Sequence, residues 1–552
     1  MADTPVDTYS DGPKASRTGQ KQPRLVWDAL VRRGSDLWEV QGGAVRTAGV
    51  VGILLVSFWA GMAPHWDSPY PLHVDEWKHI AYTQAMLHAG GLVYPNPYAI
   101  VETGAPIAFH REMGFHLWLG FLKSVTGLSW TGLFRIAPGL LLATMAFFTY
   151  AFGRRMGFGW AAALFVALIP TSVRTLGPSF VVPVSGAMLF IPVTLLLLHR
   201  LGGESQGRHL LILVVLMVGG LFVHATIEAV ITVIAVAYMA TYVMEALIRR
   251  QLREGARLAL TMGLRVLIPA AILALWIPTL ARTIVAQSGI QEESVTGLLG
   301  PNTGFVQAFG PVAAVLAPVG LLLFILRGQY GLRSYVLPVA TLSLLVFLFY
   351  LYPQHGLGPE KLYERGWSPL ALFLAIFAGY GLAIYMRRIP AMAAAVAARL
   401  GSQATRPAML LLWAAGVAIL VVALGSGLVG NERRESYGNF YYMVNDQSYA
   451  DFLWVGQHTT AGQVLAMTEP SVSWAYPPIA GPGKSVFGAV SSPMTNLNAD
   501  VLRAIYSRRR PDLWLQLKRV SVLYTFSREL DSEKMFKVRP GVYLIPGAVE
   551  AN

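Results

Sequence analysis

The chain has 552 residues, 54% of them hydrophobic and only 13% charged, about half the charged share of a soluble domain. Its mean hydropathy of +0.50, with apolar runs of about twenty residues that can each cross a hydrocarbon core ~30 Å thick, excludes a string of soluble domains and makes it a polytopic membrane protein. The net charge of +13 does not point to nucleic acid, because most Arg and Lys fall in short clusters between the apolar runs; the absence of cysteine excludes a disulfide framework, a thiol nucleophile and a thiolate metal site.

Residues 1–45 are polar and basic and are read as a cytoplasmic tail. The first span is predicted at 47–63, stopping at Pro64. A connection too long for a turn follows, residues 64–131. It carries His73-Val74-Asp75-Glu76-Trp77-Lys78-His79, then Tyr94-Pro95-Asn96-Pro97-Tyr98, then Phe109-His110-Arg111-Glu112-Met113. From Met113 to Val125 the apolar residues share one helical face, which predicts a helix lying at the interface or entering the bilayer. Further spans are predicted at 132–152, 159–176, 181–198, 209–223, 225–247, 258–280, 305–326, 335–352, 367–386 and 408–429. The total is about eleven.

Charge tests that count. With a cytoplasmic amino terminus, every second connection should be basic. Those connections hold Arg154-Arg155, then Arg200 and Arg208, then Arg249, Arg250, Arg253 and Arg257. They continue with Arg327 and Arg333, then Arg387, Arg388, Arg399 and Arg406. The alternate connections hold only isolated cations such as Arg174, Arg282 and Arg365. The long first connection therefore lies outside, and so does the segment 431–552. That segment has no spanning run. It alternates β-like stretches (463–467, 485–490, 520–526, 541–545) with helical ones (448–458, 499–509), predicting a small extracytoplasmic mixed α/β domain of roughly 120 residues. The expected location is the cytoplasmic (plasma) membrane.

In so uncharged a chain, carboxylates at the outer membrane face are the first place to look for chemistry. Asp75 and Glu76 can deprotonate an acceptor hydroxyl or help bind a metal; the plain alternative is a charged pair keeping the loop in water. Glu364-Arg365 opens the tenth span, and an Arg there suits a lipid-linked phosphate, which a guanidinium binds bidentately. Arg174 is a second candidate of that kind; snorkelling is the alternative for both. His73, Glu76 and His79 are spaced by three, a pattern that could present all of them to a metal, although His-Glu-x-x-His is not met. His110, Glu112, His116, His224 and Glu228 complete the set of candidate substrate-site residues.

Taken together these features resemble the membrane-embedded glycosyltransferases of the GT-C superfamily, which include oligosaccharyltransferase catalytic subunits, protein O-mannosyltransferases and aminoarabinose transferases. The likeness rests on His73-Val74-Asp75-Glu76-Trp77, on Gly114-Phe115-His116-Leu117-Trp118-Leu119-Gly120, on Tyr363-Glu364-Arg365 leading into an Ala-Gly-Tyr-Gly ending, and on the topology. It implies a sugar donor on a polyprenyl phosphate or pyrophosphate, used at the outer face on a glycan, lipid or protein acceptor, with inversion. By the same likeness Asp75 is the catalytic carboxylate, Glu76 assists it, and Arg365 and Arg174 bind the donor phosphate. Two features of oligosaccharyltransferases are missing: a carboxylate in the connection 171–182 and a Trp-Trp-Asp-Tyr-Gly motif. Recognition of an Asn sequon is therefore not expected, no cofactor is assigned, and participation of a divalent metal stays open. The alternative function is a transporter or flippase of lipid-linked solutes, which would place its ionisable residues near mid-membrane.

Overall fold

The computed structural model describes residues 43–66, 68–98, 106–108, 110, 112–154, 156–169, 177, 180–200, 206–248, 253, 256, 260, 305–327, 331–432, 442–460, 464–467, 471–481, 484–487, 520–524, 535–540 and 542–545. The span expected at 258–280 (apart from residue 260), residues 1–42 of the expected tail, the helix expected at 499–509 and Arg174 lie outside them.

Helix α1 (Gly43–Met62) leads into the long connection before Trp130. That connection contains α2 (Val74–Ala89), a two-stranded antiparallel ribbon of β1 (Val93–Tyr94) and β2 (Ile107–Ala108), and α3 (Met113–Thr126). The bundle continues with α4 (Trp130–Arg154), α5 (Gly159–Leu168), α6 (Pro183–Met188), α7 (Phe190–His199) and α8 (Gln206–Ile248). It resumes with α9 (Phe305–Phe309), α10 (Pro311–Arg327), α11 (Val336–Val346), α12 (Tyr352–His355), α13 (Glu360–Arg365), α14 (Trp367–Leu400) and α15 (Thr405–Glu432). Among the described residues six helices are long and apolar enough to cross a membrane, and three shorter apolar ones accompany them.

Several predicted spans are interrupted for visible reasons. Pro192 has no N–H for the carbonyl of Met188, and the span predicted at 181–198 divides between α6 and α7 at Leu189. Gly310, at φ +80°, separates α9 from α10. The helix α8 is broken at His224, whose backbone is extended. There the chain bends so sharply that a Cβ on Gly220 would land on the Glu228 carboxylate, although residues eight apart lie about 12 Å from each other along a straight helix. The break falls between the spans predicted at 209–223 and 225–247.

At the bundle centre is α14, nearly nine-tenths buried over its most apolar stretch, whereas α15 is mostly exposed, with Leu410, Leu411 and Val421 facing outward where lipid is the solvent. Small residues bring the helix backbones together. Gly320 of α10 lies against the Phe377 carbonyl, and Gly379 of α14 lies against the Ala162 backbone of α5. A side chain at Gly379 has nowhere to go, since its neighbour is main chain. Gly379→Leu is therefore expected to cost more than about 2 kcal/mol and to reduce the monodisperse fraction after detergent extraction; a wild-type melting curve would contradict this contact.

Outside the bundle, α16 (Asp446–His458) and α17 (Tyr476–Ala480) pack with a five-stranded sheet. Its strands are β3 (Val464–Met467), β4 (Ser485–Phe487), β5 (Val520–Tyr524), β6 (Phe536–Arg539) and β7 (Val542–Leu544). Their order is β4-β3-β5-β7-β6. The first three run parallel, and β7 is antiparallel to both β5 and β6. This layer shares one hydrophobic core with that long connection. Trp77, Ile80, Phe115 and Leu119 cluster with Phe452, Val455, Leu465, Met467, Tyr476 and Val522. Hydrogen bonds fix the seam: Tyr70 Oη donates to Asp446 Oδ1 (2.7 Å), the Tyr442 N–H to the Leu72 carbonyl (2.9 Å), and Tyr98 Oη to the Trp474 carbonyl (2.9 Å). The helix carrying Asp75 is thus held from above by the sheet layer.

Candidate active site

Helix α2 opens on a capping box. His73 is the cap, with extended backbone (φ −119°, ψ 149°), and its Nδ1 accepts the Asp75 N–H at 3.1 Å. Three residues on, Glu76 turns back. Its Oε2 accepts the N–H groups of Leu72 (2.7 Å) and His73 (3.1 Å), and its Oε1 accepts the N–H of Val181 at 2.9 Å. Val181 lies two residues before α6, so one carboxylate ties the start of α2 to the segment entering α6. Glu76 is wholly buried, and burial pushes its carboxyl up to about 7 against the pull of the three amides.

Asp75, its neighbour, has the opposite environment. Its side chain is 27% exposed and lies 3.8 Å from His73 Nδ1. The His73 imidazole is pushed down to about 4, first by burial; the Asp75 charge opposes that push and the Arg365 guanidinium adds to it. Arg365, at the end of α13, therefore exerts its charge on the cap of the helix that carries Asp75, although the two are 290 residues apart in sequence (365 − 75). Both Arg365 and Glu364 are partly exposed. Asp75 reaches Tyr98 as well: burial, then Tyr82, then the Asp75 charge raise that phenol. One turn along α2, the Lys78 ammonium sits 5.4 Å from the centre of the Trp474 ring in the sheet layer.

Beneath this face the histidines form a buried group. His79 Nδ1 and His116 Nε2 are 3.0 Å apart, and the His110 and His116 rings are 4.9 Å apart. Tyr82 stacks obliquely on His110 at 4.8 Å. His110 also opens the turn into α3, its Nδ1 accepting the N–H of the partly exposed Glu112 at 3.1 Å. His224 plays the same part at the break in α8, accepting the Ile227 N–H at 3.3 Å. Glu228 is sealed in the bundle, and neither of its oxygens has a hydrogen-bond partner among the described residues.

The sequence-predicted residues thus fall into three places. Asp75, Glu76, His73 and the charge of Arg365 meet at the mouth of α2. His79, His110 and His116, with Glu112 at their edge, pack beneath it. His224 and Glu228 mark the break in α8. The spacing of His73, Glu76 and His79 does not make a metal face: His73 is the cap, Glu76 is committed to three amides, and His79 pairs with His116. Among the described residues no group of three His, Asp or Glu side chains is arranged to hold a metal ion. Sequence reasoning missed Lys78, Tyr82, Trp474 and the Val181 amide. Helical spacing was the signal available for Lys78 and Tyr82; the Val181 amide and Trp474 had no local signal.

No protein-family model matches the chain, and no curated protein matches it in sequence. Solved structures do match in fold. An oligosaccharyltransferase from Archaeoglobus fulgidus, tethered to an acceptor peptide containing an NVT sequon, superposes with a TM-score of 0.58 at 11% identity, over 88% of this chain and 69% of that one. The archaeal oligosaccharyltransferase AglB from the same organism, in complex with an inhibitory peptide and a dolichol-phosphate, gives 0.55 at 11% identity, over 87% and 69%. ArnT from Cupriavidus metallidurans in the apo state gives 0.54 at 15% identity, over 88% of this chain and 94% of that one. The mycobacterial arabinofuranosyltransferase AftD gives 0.54 at 16% identity, where the chain spans 35% of the larger protein.

Proposed function

From the GT-C fold that the chain shares with these enzymes, we propose that it is a glycosyltransferase acting at the outer face of the membrane, with a polyprenyl-phosphate-linked sugar as donor and a glycan, lipid or protein as acceptor. The proposal includes about eleven spans, a cytoplasmic amino terminus, an extracytoplasmic sheet layer, and inversion at the transferred sugar carbon. The observation that carries it is the contrast between the adjacent carboxylates. Glu76 is spent on three amides, while Asp75 stands partly exposed beside it, 3.8 Å from the His73 ring on which the Arg365 charge acts.

The division of labour follows from that contrast. Asp75 accepts the proton of the attacking hydroxyl, which then forms the new bond to the sugar carbon as the bond to the phosphate oxygen breaks. Arg365 carries two parallel N–H donors suited to the phosphate that leaves. Glu76 is a positioning residue: its bonds to Leu72, His73 and Val181 set where α2 begins and therefore where Asp75 points. Arg174 is retained as a further phosphate ligand, on sequence grounds.

The experiment is transfer from a radiolabelled polyprenyl-phosphate sugar in membranes. Arg365→Ala is expected to raise the donor KM at least about tenfold and to lower kcat as well, and Arg365→Lys to recover part of the loss, since an ammonium supplies charge without the fork. An unchanged donor KM in folded Arg365→Ala would remove Arg365 from the phosphate site. Retained transfer in folded, inserted Asp75→Ala would end the catalytic reading.

A further inference from the structure

The histidine cluster has a use besides substrate contact. His79, His110, His116 and Tyr82 are each more than nine-tenths buried. They lie between α2, which carries Asp75, and α3. The short contact between the two helices is His79 Nδ1 to His116 Nε2 at 3.0 Å. The direction of that bond can be assigned. His116 Nδ1 is buried with no hydrogen-bond partner, so a proton there would be an orphaned donor. The lower-cost tautomer keeps Nδ1 as a bare lone pair, and His116 donates Nε2–H to His79 Nδ1. One added proton, whichever ring takes it, puts an N–H on His116 Nδ1, a buried donor with no acceptor, so the pair sits at lowest cost when both rings are neutral.

Resting on the transferase reading, we propose that His79 and His116 are positioning residues: as a neutral pair they clamp the helix that carries Asp75 against α3, and proton uptake by the His79–His110–His116 cluster releases that helix and withdraws Asp75 from its working place. Lys78 acts on His116 from α2 and His110 from the turn into α3; Tyr82, packed on both His110 and His116, is in turn faced by Tyr94 of β1 and by Tyr98, which Glu112 and Asp75 respectively act on. Helix α8, whose Phe222 lies against Gly114 of α3, carries His224 and Glu228. From the sheet layer, Trp474 holds Lys78 in place. Burial first, then His110 and Lys78, holds the His116 imidazole well below its ordinary value. The sign follows. A ring that stays neutral in the clamped form and takes a proton only when released favours release as pH falls below its ordinary value near 6.5, up to tenfold per pH unit per proton.

The test uses the absence of cysteine from the chain. Ala89→Cys and Val125→Cys place nitroxide labels on exposed positions near the ends of α2 and α3, and the interlabel distance is read by pulsed electron resonance at about pH 7.5 and about pH 5, either side of the imidazole value. The distance is expected to lengthen by several ångström at the lower pH, and to stay fixed in the same labelled chain carrying His79→Asn and His116→Gln. In that pair an amide N–H at the Nε2 position still donates to an oxygen at the Nδ1 position, and neither group titrates. In the transfer assay His116→Ala should lose kcat more than donor affinity. The neutral pair should restore kcat and move the acid limb of the pH profile downward. A distance indifferent to pH in the labelled parent overturns the clamp, even where the neutral pair fails to fold. Labels that move while no sugar is transferred at any pH uphold the clamp and remove the transferase reading instead.

Discussion

Asp75→Asn is expected to lower kcat for sugar transfer by roughly 10²–10⁴-fold, the usual contribution of a positioned general base, with donor KM changed little. The reasoning is geometric. Asparagine preserves the size of the side chain and leaves the backbone N–H that donates to His73 Nδ1 untouched, so the cap of α2 survives. The side chain is partly exposed, so the variant should fold and melt as the parent does. What it cannot do is hold the proton of the attacking hydroxyl. Asp75→Glu keeps the basicity but moves the carboxylate outward by a methylene, and a displacement near 1 Å can cost about 10²-fold. The two variants together separate a lost base from a misplaced one. Parent-like kcat in Asp75→Asn, in membranes where the protein is inserted, would show that the proton goes elsewhere.

Much of the architecture was legible because membrane solvation is a simple constraint. Runs such as 132–152 and 367–386 have to be helical to satisfy their own backbone groups in lipid, and α4 and α14 lie there. The short strands after residue 460 were also readable, since β-branched runs between turn residues have few alternatives, and β3, β4, β5 and β7 coincide with them. Less could be seen of the breaks. An apolar run hides its proline and glycine interruptions from a hydropathy count, as Pro192 and Gly310 illustrate. The least legible feature was the site itself. That Glu76 would reach an amide 105 residues away, at Val181, depends on tertiary packing, and no local pattern encodes that. The spacing of His73 and Glu76 did encode a helix cap. It also matched a metal face, and the extended backbone at His73, the three amides on Glu76 and the His79–His116 contact distinguish the two. The aromatic segment Tyr94–Tyr98 was conspicuous in sequence, yet its purpose depends on a partner, Trp474, that lies in the sheet layer.

The other large effect concerns Glu76, and it falls on stability. Truncation to alanine leaves three buried N–H groups, those of Leu72, His73 and Val181, with no acceptor. At roughly 1–3 kcal/mol for each unsatisfied group, Glu76→Ala is expected to lose at least about 3 kcal/mol and much of its folded yield. Glu76→Gln is gentler, and its pH dependence is diagnostic. The Glu76 carboxyl is raised to about 7 in the folded chain, so the native state holds a proton that the unfolded chain has released. Its stabilisation is full below about 4.5 and is lost as pH rises toward 7. His73 is lowered to about 4, so its contribution is full above about 6.5 and is lost as pH falls toward 4. Between those limits the parent gains one proton on folding at Glu76 and loses one at His73, and the two slopes offset. Glutamine removes the first and leaves the second. Across about pH 4.5–6.5 the stability of Glu76→Gln relative to the parent should therefore fall by about 1.4 kcal/mol for each unit of acidification, read from thermal unfolding in detergent. The histidines beneath α2 are common to both chains and cancel in the comparison. A constant difference between the two curves would mean that Glu76 is ionised throughout, its three amides outweighing its burial.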